Sequence, residues 1–192
     1  LPLNCCGKLV VTANEQEIEQ LYELERRGQQ NGVNVKILTA QEAEHIDPNV
    51  QTYRYALHSP NTASVDPIAI CQTLKTELGT QGVEILFNSA YRFHEGNLIH
   101  TSQGRFQGEK ILNCAGLYAD KIAHDFGFGL DFTILPFKGL YLGYTKDASV
   151  VKTHLYPVPN LKYPFLGVHY TKTVSGNRRR PSRGDRLVAG RG

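Results

Sequence analysis

Residues 110–120 constrain the fold of this chain more than any other segment. The run Lys-Ile-Leu-Asn-Cys at 110–114 predicts a buried strand, and the tiny residues Ala115 and Gly116 lead from it into a helix over residues 118–126. A backbone without bulky side chains can approach a ligand closely, and α/β sheets hold ligands at the carboxyl ends of their strands. The segment therefore predicts either a ligand-binding turn or a tight strand-to-helix connection without a ligand.

Signals for helices and strands alternate before this segment. Three residue pairs have the pattern of a helix start: Asn14 with Glu17, Thr39 with Glu42, and Asp66 with Pro67. Runs rich in β-branched and aromatic residues at 8–12, 33–37, 53–57 and 83–87 predict strands. After residue 131, three β-rich stretches separated by Pro and Gly predict more sheet. The chain as a whole is predicted to have an α+β or α/β fold.

The Gly-x-Gly sequence at 127–129 is not a nucleotide-binding motif. Phe132 stands where the third glycine of a Gly-x-Gly-x-x-Gly fingerprint would be, and the sequence follows a predicted helix instead of preceding one. We interpret it as a helix end and turn. The chain also has no Walker motif and no Gly-x-Ser-x-Gly nucleophile elbow, which excludes two further site classes.

Composition narrows the class of protein. The 192 residues are 41% hydrophobic and 20% charged, which is the balance of an ordinary folded domain and excludes disorder, collagen and coiled coil. No apolar run approaches the roughly 18 to 20 residues that span a bilayer, so we predict a soluble chain. The four Cys and seven His lack the spacing of zinc ligands, and the Cys usage favours a reducing compartment.

The basic charge of the chain is confined to one end. Residues 178–192 contain six Arg and one Asp, whereas residues 1–177 have a slight acidic excess. Nucleic-acid binding requires basic residues clustered on a folded face. The sequence therefore predicts no nucleic-acid partner.

Five motifs follow one another along the chain. They are Cys-Gly-Lys-Leu-Val-Val at 6–11, Ser-Val-Asp-Pro at 64–67, Asn-Cys-Ala-Gly-Leu-Tyr-Ala-Asp at 113–120, Pro-Phe-Lys-Gly at 136–139, and the stretch 156–169 from Tyr-Pro-Val-Pro to Gly-Val-His. In this order they resemble the L-2-hydroxyglutarate oxidase/dehydrogenase branch of the FAD-dependent oxidoreductases of the D-amino-acid-oxidase type. The resemblance covers residues 5–177 and lacks the family's opening glycine fingerprint, so it implies an internal fragment.

The resemblance implies part of an FAD-binding domain interleaved with a substrate domain built on a mostly antiparallel sheet. Residues 1–60 and 131–177 are implied to belong to the substrate domain, and residues 61–130 to the FAD-binding domain. The Arg-rich tail at 178–192 does not resemble the family.

The implied cofactor is FAD, held mostly by backbone contacts. Cys114, Ala115 and Gly116 are implied to pass close to it, and Ala90 and Tyr91 to lie on its adenine side.

Four residues are candidates for substrate chemistry. His169 is the implied base or substrate orienter, because an imidazole titrates near neutral pH and the resemblance places the Gly-Val-His strand in the substrate domain. Lys138, Tyr156 and His154 are candidates to bind the carboxylates of a 2-hydroxy acid. A purely structural role within the sheet or at the surface stays open for all four.

The resemblance implies oxidation of a small 2-hydroxy acid, with L-2-hydroxyglutarate as the implied substrate, by hydride transfer to FAD. Oxygen or a quinone is the expected electron acceptor. We expect the isolated chain to be inactive and its location to be cytoplasmic, with peripheral membrane contact left open and no transmembrane segment. The alternative from a different class is a non-catalytic α+β binding domain that has lost the cofactor site.

Overall fold

The computed structural model of this chain describes residues 1–137, 140–143, 148–159, 167–174 and 188–191. The described residues form four α-helices and three β-sheets, which confirms a mixed α/β fold. The chain divides into two compact units, one formed by Leu1–Leu74 with Gly139–Gly192 and the other by Lys75–Lys138. No helix in the described part of the chain is both long and apolar enough to cross a membrane.

The elements are numbered in chain order. The strands are β1 (Leu3–Asn4), β2 (Lys8–Val11), β3 (Lys36–Thr39), β4 (Tyr55–Ser59), β5 (Ser64–Val65), β6 (Tyr91–Glu95), β7 (Leu98–Thr101), β8 (Gly104–Gln107), β9 (Leu140–Gly143), β10 (His154–Pro157), β11 (His169–Thr171) and β12 (Val188–Arg191). The α-helices are α1 (Gln16–Gln30), α2 (Ala40–Ile46), α3 (Pro67–Thr80) and α4 (Ala119–Asp125).

The first unit is built around a seven-stranded sheet with the order β3-β4-β2-β10-β11-β12-β9. Its neighbours pair antiparallel except β2 and β10, which are parallel. A separate two-stranded sheet joins β1 to β5. Because β12 lies between β11 and β9, the end of the Arg-rich segment at 178–192 belongs to the large sheet.

Both faces of the large sheet carry an apolar cluster, because successive side chains of a strand point to opposite faces. The cluster on the α2 side consists of Leu9, Leu38, Ala43, Val50 and Ala56. The cluster on the α1 side consists of Val10, Leu21, Leu57 and Val158. The alternation of Leu9 and Val10 in β2 therefore fixes which face of the sheet each residue of the paired strands occupies.

A helix follows each of the three predicted helix starts, and two of the three predicted caps are confirmed. Thr39 and Glu42 form a reciprocal capping box at the start of α2, and Asp66 accepts a hydrogen bond from the N–H of Ile68 in the first turn of α3. The expectation for Asn14 is wrong, because the carboxylate of Glu17 accepts the N–H of Ala13 and α1 begins without a side-chain cap.

Three helices end in the same way. After α1, α3 and α4, a glycine with positive φ follows the last turn, and the next residue donates its N–H back into the helix. These glycines are Gly32, Gly82 and Gly127. The Gly-x-Gly sequence at 127–129 is thus a helix end, as predicted.

The second unit contains the three-stranded antiparallel sheet β6-β7-β8 and the helix α4. Phe93 stacks on His100 across β6 and β7, and His94 stacks on Phe126, which follows α4. Aromatic stacking therefore joins β6 both to its neighbouring strand and to the end of the helix.

Two predicted strands of this unit are absent. Residues 83–87 and 110–114 are apolar enough for buried strands, but neither pairs with any described segment. Their side chains are exposed, with 60% for Phe87 and 87% for Leu112. Strand formation requires a ladder partner for the backbone, and an apolar pattern by itself does not supply one.

The unit boundaries lie between residues 74 and 75 and between 138 and 139. The domain borders expected from the resemblance, after residues 60 and 130, are different positions. The assignment of these segments to cofactor-binding and substrate-binding domains stays a prediction.

Candidate functional site

His169 and Tyr156 lie side by side on one face of the large sheet. The register of β10 and β11 pairs Leu155 with Tyr170, so both neighbours, Tyr156 and His169, point to the opposite face. Their rings stack with centroids 4.7 Å apart and an interplanar angle of 21°. The phenol oxygen of Tyr156 lies 3.3 Å from the hydroxyl of Thr171 on the same face.

One ring nitrogen of His169 is held by the backbone. Nδ1 lies 3.0 Å from the carbonyl oxygen of Gly167, which can only accept, so the proton is on Nδ1. In the neutral ring this leaves the lone pair on Nε2, which makes no hydrogen bond with a described residue. The side chain is buried, with 8% exposure. This arrangement suits a proton acceptor that is fixed in one tautomer.

His154 has the opposite tautomer. Its Nδ1 accepts the backbone N–H of Lys172 at 3.1 Å, so a neutral ring has its proton on Nε2. The side chain is 3% exposed. Burial lowers the pKa of His154, and the ammonium groups of Lys8 and Lys172 lower it further. His154 is thus a neutral imidazole whose acceptor atom is already used within the sheet.

Lys8 was missed by the sequence reasoning. It pairs with His154 in the parallel register of β2 and β10, and its Nζ lies 5.6 Å from the ring centroid of Tyr156. The sequence feature that could have identified it is the alternation within β2. This alternation places Lys8, the first residue of an otherwise apolar strand, on the same face as Val10. Lys138, the fourth expected substrate residue, lies outside the described residues.

A cleft of about 340 Å³ opens on this face of the first unit. Its polar lining includes Lys8, Ser59 and Tyr156, and its apolar lining includes Val10, Val35 and Leu57. Tyr156 therefore both lines the cleft and stacks on His169. Among the described residues, no group of three or more His, Cys, Asp or Glu is arranged to hold a metal ion.

In the second unit, Asn113 organises the turn at 113–116. Its Oδ1 accepts the N–H of Ala115 at 3.2 Å, and its Nδ2 donates to the carbonyl of Ala119 at 2.8 Å. Gly116 has a φ of 56°, and a Cβ at this position would meet no heavy atom within 4 Å. Cys114 is exposed. The turn is thus a locally braced backbone segment that is open to a ligand.

Ala90 and Tyr91 are held by the hairpin and by α4. The N–H and the carbonyl of Ala90 both bond to Ser102, at 3.0 and 2.8 Å. The Tyr91 hydroxyl donates to Asp125 at the end of α4, and partial burial together with that carboxylate raises the pKa of Tyr91 to about 12. Tyr91 therefore contacts the last residue of α4, whereas the turn at 113–116 leads into its first.

The family model of FAD dependent oxidoreductases matches residues 1–192, beyond residue 177 where the sequence resemblance ended. The chain is 34% identical over 188 residues to an L-2-hydroxyglutarate dehydrogenase of Indibacter alkaliphilus, covering 92% of this chain and 46% of that protein. The identity to the enzyme of the same name from Escherichia coli K12 is 30% over 178 residues, covering 90% and 42%. The chain thus spans less than half the length of these curated relatives.

Solved structures share the fold at lower sequence identity. L-proline dehydrogenase from P. horikoshii has a TM-score of 0.75 at 15% identity, over 99% of this chain and 49% of that one. L-alpha-glycerophosphate oxidase from Mycoplasma pneumoniae, solved with FAD bound, also has a TM-score of 0.75, at 22% identity over 98% and 50%. With a family match over its whole length and an FAD-linked fold, this chain belongs to the FAD-dependent oxidoreductases of the DAO family.

Proposed function

We propose that this chain is part of an enzyme that oxidises L-2-hydroxyglutarate, a 2-hydroxy acid, to the 2-oxo acid. The observation that carries the proposal is the stacking of the buried His169 on the half-buried Tyr156, with Nδ1 of the histidine fixed by a backbone carbonyl. The names of the relatives at 30% to 34% identity support the substrate.

The proposed chemistry divides between cofactor and protein. FAD would supply the hydride acceptor for C2 of the hydroxy acid, and Cys114, Ala115 and Gly116 would hold it. Nε2 of His169 accepts the hydroxyl proton, because the proton on Nδ1 is already committed to Gly167. The hydroxyl of Tyr156 donates a hydrogen bond to the substrate carboxylate beside it. His154 positions this site from within the sheet, since its acceptor atom is used by Lys172.

The turn at 113–116 fits the backbone contacts that FAD requires. Gly116 leaves open space where a side chain would stand, and the side chain of Asn113 braces the turn from within. We assign Cys114, Ala115 and Gly116 to this contact. Ala90 and Tyr91 are assigned to the adenine side, where the Tyr91 ring is oriented by Asp125.

Three further statements belong to this proposal. Oxygen or a quinone serves as the final electron acceptor. The parent protein acts in the cytoplasm. The isolated 192-residue chain has no useful activity, because it contains no Gly-x-Gly-x-x-Gly fingerprint to hold the pyrophosphate of FAD.

A chimera tests the function without relying on the isolated chain. Residues 1–174 of this chain replace the matched segment of the Indibacter enzyme, and bound flavin is measured by its visible absorbance before any rate is compared. We expect the chimera to form 2-oxoglutarate from L-2-hydroxyglutarate, and His169→Ala to lower the rate about a hundredfold at unchanged flavin content.

His45→Ala is the matched control, because His45 is an exposed residue of α2. A chimera that binds flavin and leaves L-2-hydroxyglutarate unoxidised contradicts the proposed substrate. An unchanged rate in the His169→Ala chimera contradicts the proposed role of the imidazole.

A further inference from the structure

Two ammonium groups act on the same buried histidine. Lys8 lies opposite His154 in the register of β2 and β10, and Lys172 donates its backbone N–H to the imidazole of His154. Both ammonium groups also lower the pKa of His154. Lys8 and Lys172 thus bring two positively charged residues to the start of β10, one from each side of the strand.

This charge has no acidic partner in the described part of the chain. The ion pairs found there involve Arg26, Arg27, Arg54 and His100. The Nζ of Lys172 contacts the carbonyl of Lys152 at 3.4 Å, and the Nζ of Lys8 lies over the ring of Tyr156. A carbonyl and an aromatic face satisfy an ammonium group without neutralising its charge.

The half-buried Lys8 also lines the cleft beside Tyr156. At about 340 Å³ the cleft is at the small end of ligand-binding pockets, which occupy about 300 to 1,000 Å³. Ser59 pairs with Lys8 across β4 and β2, the ring of Tyr156 lies below the ammonium group, and Val10, Val35 and Leu57 form the apolar wall. A short carbon chain with an anionic end matches this lining.

We propose that Lys8 is the anchor for one carboxylate of a small dicarboxylic acid. The anchor lies beside Tyr156, so the two carboxylates of one ligand are bound at separate points of the same sheet face. The identification of the ligand as a dicarboxylate rests on the proposed function. Lys8 then determines the preference for dicarboxylic over monocarboxylic hydroxy acids.

Glutarate is the probe, because it has both carboxylates and no 2-hydroxyl group to oxidise. Its binding to the 192-residue chain is measured by calorimetry, with butyrate as the monocarboxylic comparison. We expect glutarate to bind more tightly than butyrate. The affinity for glutarate should fall as salt is added. Lys8→Met should weaken glutarate binding about tenfold or more, as expected for a lost charge-assisted contact, while Lys8→Arg should retain most of it.

Lys36→Met is the matched control, because it removes an exposed lysine from β3 of the same sheet. Circular dichroism verifies that each variant is folded. Equal glutarate affinity of the original chain and Lys8→Met overturns the inference, and so does an original chain that does not bind glutarate. Glutarate binding that depends on Lys8, together with a flavin-loaded chimera that does not oxidise L-2-hydroxyglutarate, retains the anion site and rejects the proposed function.

Discussion

The carboxylate of Asp47 accepts the backbone N–H of Lys152, with Oδ2 2.7 Å from the nitrogen. The same carboxylate accepts the N–H of Thr153 at 3.3 Å and, through Oδ1, that of Asn49 at 3.1 Å. Asp47 is completely buried and follows α2, whereas Lys152 leads into β10. One side chain thus connects the start of the central strand to a distant part of the chain.

Removing this carboxylate should destabilise the first unit strongly. Asp47→Ala leaves three amides without their acceptor, and we expect a loss of about 3 kcal/mol in the free energy of unfolding. Asp47→Asn retains one acceptor oxygen and should lose less. Urea denaturation followed by circular dichroism measures both. A loss below about 0.5 kcal/mol for Asp47→Ala would show that these hydrogen bonds are replaced by water.

The hydroxyl of Thr153 offers the opposite case. It is buried and has no hydrogen-bond partner among the described residues. Thr153→Val keeps the shape and removes the unsatisfied group, so we expect the free energy of unfolding to stay unchanged or to rise by about 1 kcal/mol. Thr12→Val is the control, because the Thr12 hydroxyl donates to the carbonyl of Tyr55 at 2.9 Å and its loss should destabilise. If Thr153→Val and Thr12→Val destabilise the chain equally, the predicted difference between an unsatisfied and a hydrogen-bonded hydroxyl is wrong.

His154 should make stability depend on pH. Its pKa is lowered in the folded chain, mainly by burial, from an ordinary value of 6.5. As the pH falls below 6.5, the unfolded chain therefore binds more protons than the folded chain. The stability that the neutral ring contributes is complete above that pH and declines below it. His154→Asn removes the titration and should flatten the decline in melting temperature between about pH 7.5 and about pH 5.5. His45→Asn, at an exposed residue, is the control and should leave the pH dependence of the melting temperature as it was. If His154→Asn also leaves this pH dependence unchanged, His154 is not the cause of the decline.

Two glycines at the end of α3 should respond to alanine with opposite signs. Gly79 lies within the helix with no heavy atom within 4 Å of a Cβ, so Gly79→Ala should stabilise by about 0.5 to 1 kcal/mol. Gly82 has a φ of 81°, so Gly82→Ala should destabilise by about 1 kcal/mol. Thermal unfolding of the two variants compares them directly. Stabilisation by Gly82→Ala would exclude the left-handed conformation at that residue.

Local chemistry accounts for the parts of the fold that were predicted correctly. The capping box of Thr39 and Glu42 needs residues three positions apart, and the start of α3 needs Asp66 beside Pro67. The helix end at Gly127 needs a residue that tolerates positive φ. Each of these features depends on a few neighbouring residues, and these are visible in the sequence.

The features that were predicted wrongly or missed depend on contacts between segments that are far apart in the sequence. Residues 83–87 and 110–114 have the composition of strands, but a strand exists only where another segment accepts its backbone hydrogen bonds. The site residues Tyr156, His169 and His154 were candidates because of the family resemblance. Their contacts with each other and with Lys8 follow from the register of three strands, which the alternation within any one strand does not reveal.

The sequence by itself determined the class of fold, the positions of the helix ends, and the resemblance that led to FAD. Only the tertiary structure decided that Lys8 lies opposite His154, that His169 has its proton on Nδ1, and that the buried Thr153 hydroxyl has no hydrogen-bond partner among the described residues. The physical reason is the range of the interactions. Caps and turns are closed by residues within one helical turn, whereas strand register, burial and tautomer are set by groups that chain folding brings from far along the sequence.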